Sequence, residues 1–280
     1  MPKYSLVTCV SNPITYAECT LGSINKERHN HNIEIIPIIN NDNRYSASNA
    51  LNIGIDVSRS DIIVFMHQDI KLLPGWFDKL DMAVSNIPNN WGIVGCAGIS
   101  AEYGRSSIGK WGGSLSGDSV AVGSVYNDDV SEKPYWDGSK TTQPVHCIDE
   151  CVFVLRKSTG LRFDSMFNGF HFYGVDICLQ SRAAGYLVYA ADLPIIHYGK
   201  YSASFTGDSR YWHYYRFLHH KWHLRFPELL GTHMHWSKGE LTSYIPVSMS
   251  DDDGNEIDIR SAGIVSAKFK SDKNQGYVDA

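Results

Sequence analysis

The first hundred residues alternate between short apolar runs and segments with helical spacing, and this alternation limits the folds open to the chain. Residues 46–58 and the stretch after Pro74 place apolar side chains along one face, which predicts two helices. Apolar runs bounded by polar turns predict four buried strands, at 5–10, 33–39, 61–66 and 92–98. This order predicts an α/β fold with a doubly wound, mostly parallel sheet.

The rhythm breaks between residues 100 and 144, where Gly, Ser and Asp become frequent. That composition predicts loops and short antiparallel strands beside the main sheet. Farther along we predict a strand at 145–155, a helix at 173–185 that ends on a glycine, a strand at 186–190 and an aromatic helix at 208–226. One domain is expected over 1–235, followed by a C-terminal extension of unknown role over 236–280.

Charge and hydropathy narrow the classes of partner. The chain carries 25 Lys and Arg against 30 Asp and Glu, a net charge of −5, and no basic stripe, which argues against a nucleic-acid partner. No apolar run approaches the roughly 20 residues of a membrane helix, although peripheral membrane association stays open. The start of the chain lacks a signal-peptide core and the six cysteines are scattered, so we predict a reduced, cytoplasmic protein. The sequence leaves the oligomeric state open.

The sharpest candidate site is the run His67-Gln68-Asp69, which follows the predicted strand 61–66. In open α/β sheets, ligands bind outside the carboxyl ends of the strands. Two side chains at positions i and i+2 converge on one side of an extended segment. A carboxylate oxygen and an imidazole nitrogen suit Mn²⁺ or another divalent ion. On spacing alone, a polar turn after a core strand is an equally good interpretation.

The residues around this run resemble a known family. Ala50-Leu51-Asn52-Ile53-Gly54-Ile55, the strand that follows, and His67-Gln68-Asp69 resemble family 2 glycosyltransferases of the GT-A fold. In that family a helix bearing Asn-x-Gly precedes an apolar strand that ends in Asp-x-Asp. His67 replaces the first Asp, so the chain looks most like the bacterial glycosyltransferase-like branch that carries His-Gln-Asp.

The resemblance implies a transferase that moves a hexosyl group, with inversion, from a nucleotide-diphosphate sugar to an acceptor hydroxyl. It favours a UDP-sugar donor, a glycan acceptor, a role in polysaccharide biosynthesis and a divalent cofactor, Mn²⁺ or Mg²⁺. Asp69 matches the metal-binding Asp. A chain that binds a diphosphate without a basic patch needs another source of positive charge, which a divalent cation supplies.

A second segment resembles the acidic motif that begins the acceptor-side helix of the family. Phe163-Asp164 precedes the run from His171 to Leu179, in which Asp176 matches the family's general base. A carboxylate in the first turn of a helix is stabilised by about 0.3–1 kcal/mol, which favours the ionised form that a base requires. A capping Asp is the alternative. A Lys221-Trp222 pair resembles one found late in family chains.

The resemblance also implies a further metal ligand and a set of ligand contacts. His197 follows a short apolar strand, and the resemblance implies that it is a third metal ligand beside Asp69 and His67. The alternative is a buried histidine that bonds to a backbone carbonyl. The predicted nucleotide contacts are Val10, Ser11, Asn12, Asn40, Asn41 and Asn52. The predicted contacts of the donor or acceptor sugar are Trp111, Asp149, Glu150 and Tyr173.

Two other functions stay open from the sequence. A non-catalytic protein that binds carbohydrate or nucleotide sugar on the same fold is compatible with the departure at His67. A sugar nucleotidyltransferase needs a glycine-rich phosphate loop after the first strand, which residues 11–15 do not supply.

Overall fold

The computed structural model of the chain describes residues 1–28, 30–100, 121–127, 130–131, 133–134, 136–198, 209–232, 234–237, 240–243, 249–250 and 256–257. The helices in these residues are α1 (Pro13–Thr15), α2 (Gly22–Glu27), α3 (Ala47–Val57), α4 (Trp76–Ser85), α5 (Tyr173–Ala183) and α6 (Ser209–Trp222). A π-helical segment, Tyr16–Leu21, joins α1 to α2, and a 3-10 turn covers Lys157–Thr159.

The strands of the first half are β1 (Tyr4–Val10), β2 (Ile33–Ile39), β3 (Ile62–Met66), β4 (Ile70–Leu72), β5 (Trp91–Gly95), β6 (Ala97–Ser100), β7 (Ala121–Asn127) and β8 (Trp136–Asp137). Those of the second half are β9 (Gln143–Ile148), β10 (Val152–Arg156), β11 (Leu187–Ala190), β12 (Ile195–His197), β13 (Leu229–Leu230), β14 (Met234–Ser237), β15 (Glu240–Ser243), β16 (Met249–Ser250) and β17 (Glu256–Ile257).

One large mixed sheet organises the fold, with strand order β2-β1-β3-β10-β5-β11-β9-β6-β7-β12-β4. Strand β1 is parallel to β2 and β3, as the alternating strands and helices predict. Strand β10 lies antiparallel between β3 and β5. The predicted α/β class is confirmed, but the sheet carries more antiparallel pairing than expected. Strand β9 is antiparallel to β11, which is parallel to β5, so β10 continues in the direction of β9 and is antiparallel to both of its neighbours.

Both faces of the sheet are buried, and β3 shows how. Successive residues of a strand face opposite sides. Ile63 and Phe65 belong to one core, which α3, α5 and α6 cover, and Val64 and Met66 belong to a second core, which α2 and α4 cover. The almost wholly apolar sequence of this strand follows from burial on both sides.

Helix α3 positions the strand ends by packing closely on β1. The side chain of Ser46 accepts a hydrogen bond from the Asn49 amide and so caps the helix. A Cβ atom at Gly54 would lie 2.2 Å from Cγ1 of Val7, so only glycine allows this approach. The predicted helix at 46–58 is confirmed, and its glycine serves packing.

Two predicted strands are each broken in two. The run 92–98 forms β5 and β6, and the run 145–155 forms β9 and β10. The second break occurs because Oδ1 of Asp149 accepts a hydrogen bond from the Cys151 amide at 3.0 Å, which closes an Asx turn. The prediction of one strand over 145–155 is therefore wrong, and the turn carries Glu150 to the end of the sheet.

The later helices agree with their predictions. Helix α5 ends just before Gly185, whose φ of 87° is the left-handed conformation that glycine adopts at low cost. Helix α6 falls inside the predicted 208–226. None of the helices in the described residues is long and apolar enough to span a bilayer.

The predicted domain boundary at 235/236 falls inside β14, which pairs with β13 and β15. Trp236 is 1% exposed and donates its indole N–H to the Phe226 carbonyl at 2.7 Å. This strand therefore packs with the main core. Most of the predicted extension, 236–280, lies outside the described residues.

Candidate active site

Three side chains predicted as metal ligands meet at one end of the sheet. His67 and Asp69 lie in the turn between β3 and β4, and β12 pairs with β4 so that His197 lies opposite Ile70. Nε2 of His197 is 3.5 Å from Oδ2 of Asp69. One ligand atom from each of the three residues lies within 4.8 Å of the others. This set of three residues is called the triad below.

The turn that carries His67 and Asp69 is held from two sides. The hydroxyl of Thr20, which is fully buried, lies 3.1 Å from the His67 carbonyl, 2.9 Å from that of Gln68 and 3.1 Å from that of Ile70. The amide of His67 donates to the carbonyl of Cys151 at 3.0 Å. Thr20 is distant in the sequence from every residue it holds, so no local pattern points to it.

The charges within the triad suit a bound cation. Burial lowers the pKa of His67, helped by the charge of His197 and opposed by that of Asp69, which favours the neutral ring that a metal requires. For Asp69, burial acts to raise the pKa, but the two histidines outweigh it and the pKa is lowered. For His197, burial acts to lower the pKa, but Asp69 outweighs it and the pKa is raised.

The donor set fits a divalent transition metal. Two imidazoles and one carboxylate converge, and imidazole and carboxylate ligands together suit Mn²⁺. The hydroxyl of Tyr173 lies 2.9 Å from Nε2 of His67. Metal-binding histidines commonly engage their second nitrogen in such a contact, which fixes the orientation of the ring.

Two residues of the triad, His67 and Asp69, border a cavity, and Gln68 connects this site to the turn after β1. His67, Gln68 and Asp69 form one part of the cavity wall, and Ser11 forms another. Oε1 of Gln68 accepts from the amides of Ser11 and Asn12 at 2.9 and 2.8 Å, and its Nε2 donates to the Ser11 hydroxyl at 2.9 Å. Sequence analysis assigned no role to Gln68, the middle residue of the run, although it joins the two turns.

Among the residues predicted to contact the nucleotide, Ser11 reaches the cavity wall. The side chain of Asn12 caps α1 by accepting from the amides of Ile14 and Thr15. Val10 is fully buried in β1. Of this turn, Ser11 has its side chain at the cavity, while Asn12 and Val10 shape the backbone around it.

The structure does not bring the predicted asparagine contacts to the cavity wall. Asn40 is fully buried and holds its own loop through the backbone of Tyr45 at 3.0 Å. Both amide atoms of Asn52 bond to the backbone of Phe163, at 2.9 and 3.0 Å. Asn41 is exposed and lies outside the described wall. Asn40 and Asn52 are thus structural side chains.

Asp176, the predicted general base, lies inside the core. It is fully buried; its Oδ1 accepts a hydrogen bond from the indole of Trp222 at 2.7 Å and forms an ion pair with Nζ of Lys221 at 2.8 Å. Its Oδ2 accepts from Gln180 at 2.7 Å. The Asp176 side chain is not part of the described cavity wall. This geometry favours a structural role, in which Asp176 joins α5 to α6, over the role of general base.

The four residues predicted to contact a sugar have three different positions relative to the cavity and the described residues. Glu150 and Tyr173 line the cavity beside the triad. Asp149 closes the turn between β9 and β10 and lies 3.5 Å from the Thr232 hydroxyl. Trp111 lies outside the described residues.

Burial raises the pKa of Glu150 to about 8, and the charge of Asp149 adds to this effect. The Gly174 amide, which donates to Oε2 at 2.8 Å, opposes it. Glu150 is thus a carboxyl group that titrates near neutral pH in the wall of the cavity.

Two solved structures of low sequence identity are similar to the chain. It is similar to the crystal structure of GalNAc-T7 with UDP, GalNAc and Mn²⁺, with 10% identity, a TM-score of 0.45, and coverage of 72% of this chain and 45% of that one. It is also similar to the mannosyltransferase PcManGT of Pyrobaculum calidifontis in complex with GDP-Man and Mn²⁺, with 8% identity, a TM-score of 0.47, and coverage of 72% and 58%.

Two further comparisons are at the level of sequence. The chain is 25% identical over 141 residues to the product of "ATP synthase subunits region ORF 6" of Fuscovulum blasticum, which is 49% of this chain and 51% of that protein. The chain therefore spans about half the length of this curated relative. The model of a family described as "Glycosyltransferase like family" matches residues 5–214, well over half of the 280 residues. The family predicted from the motifs is confirmed: the chain belongs to the glycosyltransferase-like family.

Proposed function

We propose that the chain is a Mn²⁺-dependent, inverting glycosyltransferase that moves a hexosyl group from a nucleotide-diphosphate sugar to an acceptor hydroxyl. The observation that carries the proposal is the triad, in which two imidazoles and a carboxylate converge and two of the three residues, His67 and Asp69, line a cavity. Membership in the glycosyltransferase-like family supports the class of reaction.

The cation is held by His67, Asp69 and His197. When bound, it supplies the positive charge that neutralises a diphosphate and stabilises it as a leaving group. The two imidazole donors favour Mn²⁺ over Mg²⁺, because Mg²⁺ prefers oxygen ligands. Among the described residues of the cavity wall there is no lysine or arginine, so a diphosphate would depend on the cation for charge.

The turn after β1 binds the nucleotide. Gln68 fixes the backbone of this turn relative to the triad, so Ser11 and the cation would act on one ligand. Phe170, which is 55% exposed, lines the same cavity and offers an aromatic face to a base or a sugar. As the family resemblance implies, we favour a UDP-sugar donor, a glycan acceptor and a role in polysaccharide biosynthesis in the cytoplasm.

Calorimetric titration of UDP and GDP, each with and without Mn²⁺, tests the cation site. The Asp69→Asn variant should weaken Mn²⁺-dependent nucleotide binding by more than about tenfold, since metal ligands act in their deprotonated form. Asp78→Asn is the matched control, because Asp78 lies on α4 with its side chain 76% exposed. Equal affinity with and without Mn²⁺ in the unmodified protein would exclude the assigned ligands.

A turnover assay separates the three candidate functions. Slow Mn²⁺-dependent hydrolysis of a panel of UDP- and GDP-sugars is the result expected of a transferase that uses water as acceptor. Nucleotide-sugar binding without hydrolysis of any donor supports the non-catalytic binding protein. Consumption of a nucleoside triphosphate with a sugar phosphate supports the nucleotidyltransferase.

A further inference from the structure

The geometry points to Glu150, rather than Asp176, as the general base that takes the proton of the acceptor hydroxyl. This inference rests on the proposed transferase function and goes beyond it, because sequence analysis assigned that role to Asp176 and gave Glu150 only a sugar contact.

Glu150 lies at the meeting point of the sheet, α5 and the cavity. The Asx turn of Asp149 directs the chain from β9 to β10 and places Glu150 at its tip. Oε2 of Glu150 accepts a hydrogen bond from the Gly174 amide, 2.8 Å away, in the first turn of α5. The residue lines the same cavity as His67 and Asp69. The carboxylate thus lies beside the place where a metal-bound diphosphate would be held.

Gly174 makes room for this carboxylate. A Cβ atom built at position 174 would lie 2.6 Å from Cβ of Glu150 and 2.9 Å from its Oε2. Any other residue there would displace the Glu150 side chain. The start of an α-helix favours negative charge, and α5 has 11 residues. The carboxylate that lies at the start of α5 is therefore that of Glu150, which belongs to the β9–β10 turn.

The other acidic and basic groups near the cavity are already engaged. All three donors around Asp176 are within 2.8 Å, and the side chain is fully buried, so no acceptor hydroxyl can approach it. Burial raises the pKa of Tyr173 well above its usual value, so its phenol stays protonated. Asp69 belongs to the triad. Among the described residues of the cavity wall, Glu150 is the carboxylate that remains.

The electrostatics of Glu150 suit proton transfer near neutral pH. Burial raises its pKa to about 8, the charge of Asp149 acts in the same direction, and the amides of Gly174 and Phe172 act against it. Tyr173 faces it from α5 and stays neutral. A general base works best when its pKa lies near the working pH, so a carboxyl group with a pKa of about 8 is both basic and partly ionised at neutral to mildly alkaline pH.

The step is balanced by groups already named. The acceptor oxygen forms a bond to the anomeric carbon while the bond between that carbon and the diphosphate oxygen breaks. The nucleoside diphosphate leaves with the electron pair of the broken bond. The hydroxyl proton moves to a carboxylate oxygen of Glu150, and no oxidant or reductant is needed.

The Glu150→Gln variant tests the assignment, because an amide oxygen can still accept from the Gly174 amide but cannot take a proton. We expect donor turnover to fall by about 100-fold or more, in the range that general-base catalysis contributes. Calorimetric affinities for Mn²⁺ and for UDP should stay within about threefold of the unmodified protein, since neither ligand needs this proton transfer. Glu228→Gln, at an exposed position after α6, is the matched control and should change neither quantity.

An acidic acceptor gives a readout that a purely structural role would not move. A phenol, with a pKa of about 10, needs less help from a base than an aliphatic alcohol. The loss caused by Glu150→Gln should therefore shrink at least tenfold when a phenol replaces an aliphatic alcohol as acceptor. Gly174→Ala, which displaces the Glu150 side chain, should likewise lower kcat less with the phenol than with the aliphatic alcohol.

The outcomes distinguish a wrong assignment of Glu150 as the base from a wrong proposed function. If the unmodified protein turns over a donor and Glu150→Gln stays within tenfold of it, Glu150 is not the base and the proposed function stands. An equal loss with phenol and aliphatic acceptors also removes Glu150 as the base. If the unmodified protein turns over no donor, the proposed function is overturned, and the assignment of the base falls with it.

Discussion

Replacing Asp176 by asparagine should destabilise the protein while leaving the chemistry of the cavity intact. The fully buried carboxylate joins α5 to α6 through a hydrogen bond from Trp222 and an ion pair with Lys221, and it accepts a further hydrogen bond from Gln180 of α5. The same substitution would abolish transfer without loss of stability if Asp176 were the general base. The Asp176→Asn variant therefore separates the structural role from the catalytic one.

The magnitude follows from the three contacts. A hydrogen bond to a charged group contributes about 1.5–3 kcal/mol and one between neutral groups about 0.5–1.5 kcal/mol. Asparagine at position 176 carries no charge. The contacts of this position with Trp222 and Lys221, at 2.7 and 2.8 Å, therefore lose the additional strength of an interaction with a charged group. In the variant, Lys221 still has its ion pair with Asp164, at 2.6 Å. We expect a loss of about 2–3 kcal/mol for asparagine and about 3–5 kcal/mol for alanine, which leaves the buried donors without an acceptor.

Urea unfolding followed by far-ultraviolet circular dichroism measures these losses. Asp164→Asn is the matched control, because it removes the other carboxylate of Lys221 from a site where the side chain is 24% exposed. It should cost about 1 kcal/mol. Donor turnover by Asp176→Asn, measured at a temperature where the variant is folded, should stay within tenfold of the unmodified protein. A variant as stable as the unmodified protein but devoid of turnover would refute the structural role.

Three further substitutions have distinct readouts. Gly54→Ala should cost about 1–3 kcal/mol in urea unfolding, because the new methyl group collides with Val7 on β1. Gln68→Ala removes three hydrogen bonds to the turn after β1 and should weaken UDP binding about tenfold, with Mn²⁺ affinity changed less than about threefold by calorimetry. For Glu34, burial acts to raise the pKa, but hydrogen bonds, including those from Arg59, outweigh it and lower the pKa below the usual 4.5. Its stabilisation is present above that pH and is lost as the pH falls through the lowered value, so the stability difference from Glu34→Gln should shrink as the pH falls below about 4.5.

The sequence predicted the elements that carry a local signal. The alternation of apolar runs and helical spacing located β1, β2, β3, α3, α5 and α6. It also placed His67 and Asp69 at the end of a strand, where ligands bind in α/β sheets. The convergence of His197 on Asp69 depends on the pairing of β12 with β4, which joins segments more than a hundred residues apart. That part came from the family resemblance, because no spacing along the chain encodes it.

The misassigned strand at 145–155 shows the limit of pattern reading. An apolar run with two acidic residues inside it is compatible with one long strand or with two strands and a turn. Asp149 decides the outcome, because its side chain bonds to the Cys151 amide and competes with the strand backbone. The same limit applies to Asn52, whose amide could have faced a ligand but bonds instead to the backbone of Phe163.

Gly174, which has no side chain, decides which of Asp176 and Glu150 is assigned as the general base. A glycine inside a helix costs about 0.5–1 kcal/mol relative to alanine, so Gly174 in the first turn of α5 needs a reason. The structure supplies one in the Glu150 carboxylate, which occupies the space that a Cβ atom would fill. Read alone, the motif drew attention to Asp176, the nearest acid on the same helix, because a motif records only residues of one segment. The pair that forms this site is a glycine in the first turn of the helix, Gly174, and an acidic residue in a separate turn, Glu150. Because the carboxylate comes from the sheet, exchanging Gly174 should damage catalysis through Glu150 even though position 174 itself carries no reactive group.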